Sequence, residues 1–335
     1  MRIDVLGARE VPKEFEEFVN GPLLNSLTGT EENQVLSVML GGSHSKGLSN
    51  SRSDVDLIMY YTTNARNLLS FNRQTLSVVP KHGGFQQVKS EPVLYEWRGM
   101  LYELLTVPVR RVGEGNDLFT NLYKGNMKTI HDLLKDYELL GPPSVYAGVR
   151  SRFVFAALID ALKEPDRFDI PIESVVGYFH GYMTSQLMSH RRKSDYEKRE
   201  LKAWREHDVN PVVKAIMNGM YIGLSGLLLL DKRAVSREFG GLWAAYRDEF
   251  TDEQKEFIDR CYLHKIDMEP IIGSVDTFLE ESAVLRDAIF DTLRARFNIS
   301  KGAALAEDRF AVDPDTHKNH AALDEYQLDL LGLRE

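Results

Sequence analysis

Leu40-Gly41-Gly42-Ser43-His44-Ser45-Lys46-Gly47-Leu48-Ser49-Asn50-Ser51-Arg52-Ser53-Asp54-Val55-Asp56-Leu57-Ile58-Met59-Tyr60 is the stretch whose reading decides the fold. An apolar run over residues 35–40 enters a Gly-Gly-Ser turn, and a second apolar run leaves directly after an Asp-x-Asp. This pattern reads as strand, phosphate-gripping loop, strand. Residues two apart on a strand share a face, so Asp54 and Asp56 project together while Val55 and Leu57 turn towards a core. Two carboxylates so placed suit Mg²⁺, or Mn²⁺ in its place, because hard cations take oxygen ligands and bind alongside substrate phosphates. A pair of such ions can hold both the attacking and the leaving oxygens of a phosphoryl transfer. Gly41 and Gly42 let the backbone approach a phosphate closely. The Ser43 hydroxyl can donate to that phosphate, and Ser53, beside Asp54, joins the nucleotide-binding candidates. The other reading of these letters is the ordinary turn of a surface hairpin.

Gly42-Ser43, ten intervening residues and then Asp54-x-Asp56 with apolar residues behind it resembles the signature of the DNA polymerase beta-like nucleotidyltransferase superfamily. Gly-Ser-His-Ser-Lys-Gly-Leu, Ser-Asp-Val-Asp and Tyr123-Lys124-Gly125-Asn126 ahead of Leu133-Leu134 are similar to an RNA-repair-associated branch of predicted nucleotidyltransferases from bacteria and phages. The resemblance implies a third carboxylate on a strand beside the Asp-x-Asp strand, serving as general base or metal ligand. Residues 93–97 and 101–107, split by Arg98-Gly99, read as a hairpin or two sequential strands. Glu103 is the first choice for the third acid, Glu96 the second and Glu91 the third; otherwise Glu103 is a solvent-facing strand residue. Leu104-Leu105 blurs the alternation there.

Length and composition bound the rest. The 335 residues allow two domains, and 43% hydrophobic content supports packed cores. A single cysteine, Cys261, excludes an intramolecular disulfide framework and suits a reducing cytosol. Residues 221–230 form the longest apolar candidate, about half of the roughly 20 residues a membrane span needs. The first residues lack a basic-then-apolar signal pattern, so the cytoplasm is expected, with no membrane partner. A net charge of −9 argues against a tight, non-specific grip on long polynucleotides, which basic surfaces provide.

Residues 12–24 read as a helix that precedes the loop strand and packs on the sheet. Residues 64–69 read as a helix start and 70–92 as an insertion. Residues 116–140 read as helical, closed by Gly141-Pro142-Pro143; Asn126 reads as a cap or turn residue. From residue 146 nearly everything is helix-patterned, in segments 146–163, 171–190, 194–207, 211–230, 235–248, 252–264 and 271–296. Lys198, Lys202 and Arg205 share a helical face that suits phosphate contact, although interleaved Asp195, Glu197, Glu200 and Glu206 favour a solvated charged surface. Lys214 is similar to a lysine that recurs in a comparable helix of the related branch, which implies a phosphate role, with Asn218 where a polar partner stands. His44 reads as a loop histidine. His180, His190, His317 and His320 lack the supporting spacing of a zinc site.

The expected fold class is α/β (α+β): a small mixed-sheet catalytic domain over 1–143, an all-helical domain over 144–299 and a tail over 300–335. The resemblance implies a nucleoside triphosphate substrate, Mg²⁺ (or Mn²⁺), and transfer of a nucleoside monophosphate to a hydroxyl, most naturally of an RNA end such as tRNA. Two rivals stay open. One is a protein-nucleotidylating enzyme, and the other is a nucleotide-binding module without turnover.

Overall fold

The computed structural model describes residues 4–6, 12–24, 33–63, 93–108, 127–134, 146–147, 172–200, 210–236, 238–267 and 275–306. The chain divides into two packed units. One comprises Met1–Ser45, Ser53–Asp169 and Val312–Glu335, and the other Lys46–Arg52 and Ile170–Ala311. The division falls after Asp169, beyond the Gly-Pro-Pro stop at 141–143, and the seven-residue segment Lys46–Arg52 is grouped with the helices.

In the first unit the elements are β1 (Asp4–Leu6), α1 (Lys13–Phe18), β2 (Asn33–Leu40), β3 (Val55–Thr63), β4 (Val93–Trp97), β5 (Met100–Pro108), α2 (Met127–Asp132) and β6 (Tyr146–Ala147). Five of the strands form one mixed sheet in the order β4-β5-β3-β2-β6. β2 and β3 run antiparallel with Leu40 opposite Leu57, and β3 and β5 run parallel. Val55, Leu57, Met59, Tyr102 and Leu104 are buried. α1, extended by a wider turn over Val19–Leu23, buries Phe15, Phe18, Val19 and Leu23. Phe18 stacks on Tyr102 with ring centroids 3.8 Å apart, and Phe15 meets the same ring edge-on. Such aromatic contacts add to area burial by about 1 kcal/mol each. The helix expected over 12–24 therefore serves the sheet as foreseen.

Tyr146–Ala147 contradict the expected helix over 146–163 at its first two residues. They pair with Val38 and Ser37 as an antiparallel edge. The rest of that segment, the helix start at 64–69, the insertion at 70–92, and the tail beyond residue 306 lie outside the described residues. Within 116–140, Met127–Asp132 is helical, and Met127, Ile130, Leu133 and Leu134 are buried at helical spacing.

In the second unit the elements are α3 (Ile172–Glu200), α4 (Asn210–Lys232), β7 (Ala234–Ser236), α5 (Phe239–Tyr246), α6 (Asp252–Asp267) and α7 (Val275–Ala306). The segments expected at 171–190 and 194–207 are joined, as far as Glu200, into one helix, α3. α7 runs past residue 299, where the sequence suggested the tail begins. α4 is the core of this unit, packing against α3, α5, α6 and α7. Val212–Lys232 is long and apolar enough to cross a membrane by composition, contrary to the sequence expectation, and 83% of its most apolar window is buried within the protein. At the end of α4, Asp231 accepts hydrogen bonds from Tyr246 Oη (3.1 Å) and Arg296 Nη2 (3.0 Å), while Arg296 Nε donates to Glu249 (3.1 Å). That network ties α4, α5 and α7 together.

Close helix approach predicts opposite effects for two glycines. A Cβ on Gly226 of α4 would lie 2.5 Å from both Phe179 Cβ and Phe297 Cζ, whereas one on exposed Gly177 of α3 meets nothing within 4 Å. Alanine gains about 1 kcal/mol over glycine in a helix interior, and overpacking costs about 1–3 kcal/mol. Gly177→Ala should therefore raise the midpoint of thermal unfolding by a degree or more, on the order of its propensity gain, and Gly226→Ala should lower it.

Cys261 of α6 is fully buried. Burial pushes its thiol up to about 12. The thiolate is the reactive form, so iodoacetamide at pH 8 should leave the native protein unlabelled and modify it once urea is added.

Candidate active site

The sheet register explains how residues distant in sequence converge. Asp56 sits directly opposite Glu103 in the parallel pairing of β3 with β5, and paired residues share a face. Tyr102 and Leu104 point into the core, Glu103 and Leu105 are half-buried, and Leu101 is exposed. The alternation that Leu104-Leu105 obscured in sequence is thus intact, and it turns Glu103 to the same face as Asp56. Asp54 precedes β3 by one residue, in step with Asp56. One carboxylate oxygen from each of Asp54, Asp56 and Glu103 lies within 4.8 Å of the other two, and all three residues are half-buried. Among the described residues this is the group of acids able to hold a metal ion together. Its donors are all hard oxygens, which fits Mg²⁺ or Mn²⁺ and disfavours the nitrogen and sulfur preferences of zinc. Glu96 pairs with Leu101 on the outer strand β4 and is exposed. Glu91 lies outside the described residues.

The loop before β3 is built against the same acids. The Gly41 N–H donates to the Asp56 carbonyl (2.8 Å), and the Ser45 N–H donates to the Gly41 carbonyl (3.2 Å). The Ser45 hydroxyl donates to the Gly42 carbonyl at 3.1 Å, closing a tight turn around half-buried Ser43. Gly42 has φ +59°, in the left-handed region that glycine adopts without strain. A Cβ at Gly42 would lie 1.5 Å from Asp56 Oδ2. Backbone and metal-ligand candidate are therefore in direct apposition. His44 is buried, its ring edge-on to Phe15 at 5.0 Å, so this loop histidine packs against α1. Burial, reinforced by the nearby Glu14 carboxylate, raises the Tyr102 hydroxyl to about 12, so it stays protonated in the core.

The remaining candidates stand as follows. Ser53 is half-buried next to Asp54, and Lys214 is exposed on α4 in the helical unit. Lys124, Asn126, Lys202 and Arg205 lie outside the described residues, as does the side chain of Lys198. Lys46 and Asn50, to which the sequence analysis gave no role, make long-range hydrogen bonds within the helical unit. Only their polar character in a Gly-flanked loop could have signalled this.

No protein-family profile matches the sequence, and no curated protein matches it. Among solved structures the chain is similar to a nucleotidyltransferase-like protein from Exiguobacterium sibiricum 255-15. The TM-score is 0.30 and the identity 10%, over 96% of this chain and 89% of that one.

Proposed function

We propose that this chain is a metal-dependent nucleotidyltransferase. The observation that carries the reading is the junction of three carboxylates within 4.8 Å with a glycine turn whose backbone lies against one of them. Asp54, Asp56 and Glu103 would hold Mg²⁺ or Mn²⁺, which when bound neutralises phosphate charge and polarises the phosphoryl oxygens. The Gly41-Gly42 backbone lets a triphosphate approach closely, and the Ser43 hydroxyl donates to a phosphate oxygen. Glu103 takes the proton from an attacking hydroxyl. The acceptor oxygen bonds to the α-phosphorus, the bond from that phosphorus to the bridging oxygen breaks, and pyrophosphate leaves with the electron pair. Fixed positioning of these groups supplies most of the acceleration, as in phosphoryl transfers generally.

The acceptor we propose is an RNA end, tRNA included, on the resemblance of the loop letters to the RNA-repair-associated branch. Incubating the protein with each α-phosphate-labelled nucleoside triphosphate, Mg²⁺ or Mn²⁺, and separated RNA and protein fractions of a cell extract tests this. Label in the RNA fraction is the expected result. Label confined to the protein fraction would replace the RNA acceptor with a protein hydroxyl. Triphosphate binding without transfer to either would reduce the chain to a binding module.

A further inference from the structure

The segment Lys46–Arg52 follows directly on the Gly-Gly-Ser turn and leads directly into Ser53 and Asp54, yet it is grouped with the helices. Contacts of Lys46, Gly47 and Asn50 within the helical unit hold it. Lys46 Nζ donates to Asn218 Oδ1 of α4 at 3.2 Å and lies 5.8 Å from the centre of the Tyr221 ring, one helical turn further along. Asn50 Nδ2 donates to the carbonyl of Lys265 in the last turn of α6 at 2.8 Å. Last-turn carbonyls lack a donor within their own helix, so this amide completes the helix end. Gly47, at φ +67°, fits against Glu238, where a Cβ would stand 3.4 Å from the Glu238 side chain.

The partners are themselves fixed. Fully buried Tyr221 donates its hydroxyl to the Ser236 carbonyl at 3.2 Å, and the Ser236 hydroxyl is hydrogen-bonded to both the backbone N–H and the carbonyl of Glu238. Asn50 also braces its own loop by accepting from the Arg52 N–H at 2.9 Å. A seven-residue connection between two parts of a phosphate site is entropically free to adopt many shapes. These attachments select one.

We propose that Asn218 is a positioning residue for nucleotide binding: by holding Lys46 it fixes the far half of the loop whose near half carries Ser43. This inference rests on the nucleotidyltransferase reading and deepens it, because it names a residue that acts on the nucleotide-binding loop through the loop's own chain. Asn218 acts through Lys46 and the loop backbone.

Steady-state transfer by the full-length protein tests it. Asn218→Leu should raise KM for the nucleoside triphosphate about tenfold, the loss expected when a hydrogen bond to a charged group is removed, while kcat stays within about threefold. Asn218→Asp, whose carboxylate can still accept from Lys46, should restore KM to within about twofold. Lys46→Met, which also gives up the Tyr221 contact, should raise KM at least as much as Asn218→Leu, and the double variant should be no worse than Lys46→Met alone, as for two ends of one interaction. The stabilisation by Mn²⁺ of the unfolding midpoint, which reads the three carboxylates, should be unchanged in every variant. Lys46→Met, a change in a loop, carries the test should Asn218→Leu fail to fold. A KM within twofold of wild type in Asn218→Leu and Lys46→Met, or multiplied effects in the double variant, overturns the inference. A wild-type protein that neither binds triphosphate nor transfers label overturns the nucleotidyltransferase reading itself, and this proposal with it.

Discussion

Asp56→Asn should lower nucleotidyl transfer by on the order of 10³-fold or more and leave the fold intact. The metal's contribution to transition-state charge is several kcal/mol, and each 1.36 kcal/mol is a factor of ten. Asparagine keeps the shape of the side chain but removes the charge that makes a carboxylate a good ligand. The unfolding midpoint separates this from a structural role. With no cation present, three carboxylates within 4.8 Å repel one another. The same substitution should abolish the rise in that midpoint that Mn²⁺ gives the wild-type protein, since stabilisation by a ligand follows its affinity for the folded state. A residue that merely braced the sheet would leave the response to Mn²⁺ preserved.

Gly42→Ala is the second large effect, expected to cost about 100-fold or more in transfer. Two independent causes act together. The left-handed backbone at Gly42 costs a residue with a side chain about 1–2 kcal/mol. In addition the new methyl would occupy the space of Asp56 Oδ2, so either the turn carrying Ser43 or the carboxylate must move. A displacement of about 1 Å at a reacting centre is enough for a hundredfold loss. Gly41→Ala serves as the comparison. Its Cβ would make ordinary contacts of 3.5 Å with Asp56 Cβ and Ile58 Cδ1, and Gly41 is not among the positive-φ glycines. Its loss of rate should be at least tenfold smaller than that of Gly42→Ala. Equal losses from the two would mean that backbone crowding around the turn, rather than apposition of Gly42 with Asp56, sets the site.

The candidate site was legible in the sequence where the governing relation is local. Asp54 and Asp56 share a face because of strand period alone, and the glycine turn ahead of them is a local signal. Glu103 needed one long-range fact, the parallel register that sets it opposite Asp56. No pattern along the chain encodes that register, so Glu96 stayed a rival until the strands were paired. Tyr146–Ala147 escaped because two residues carry no periodicity, and edge pairing with Val38 and Ser37 overrides local helical preference. Residues 191–193 fell between two expected helices, but arginine and lysine are good helix formers, and α3 continues through them. The end of α4 lies two residues past the expected 230. The positive φ that stops it falls on Arg233, buried at that position, where glycine or asparagine would have given the usual signal. Least legible of all were the ties of the loop to α4 and α6, made across 172 and 215 residues by single polar side chains.

The central claim, that nucleotidyl transfer takes place at Asp54, Asp56 and Glu103, is tested most directly by metal-dependent release of pyrophosphate from a nucleoside triphosphate in the presence of an RNA acceptor fraction, comparing the wild-type protein with Asp54→Ala/Asp56→Ala. Release by the wild type that requires Mg²⁺ or Mn²⁺ and is lost in the double variant, with the variant still folded, is the predicted result. Pyrophosphate release that persists in the double variant would contradict the account.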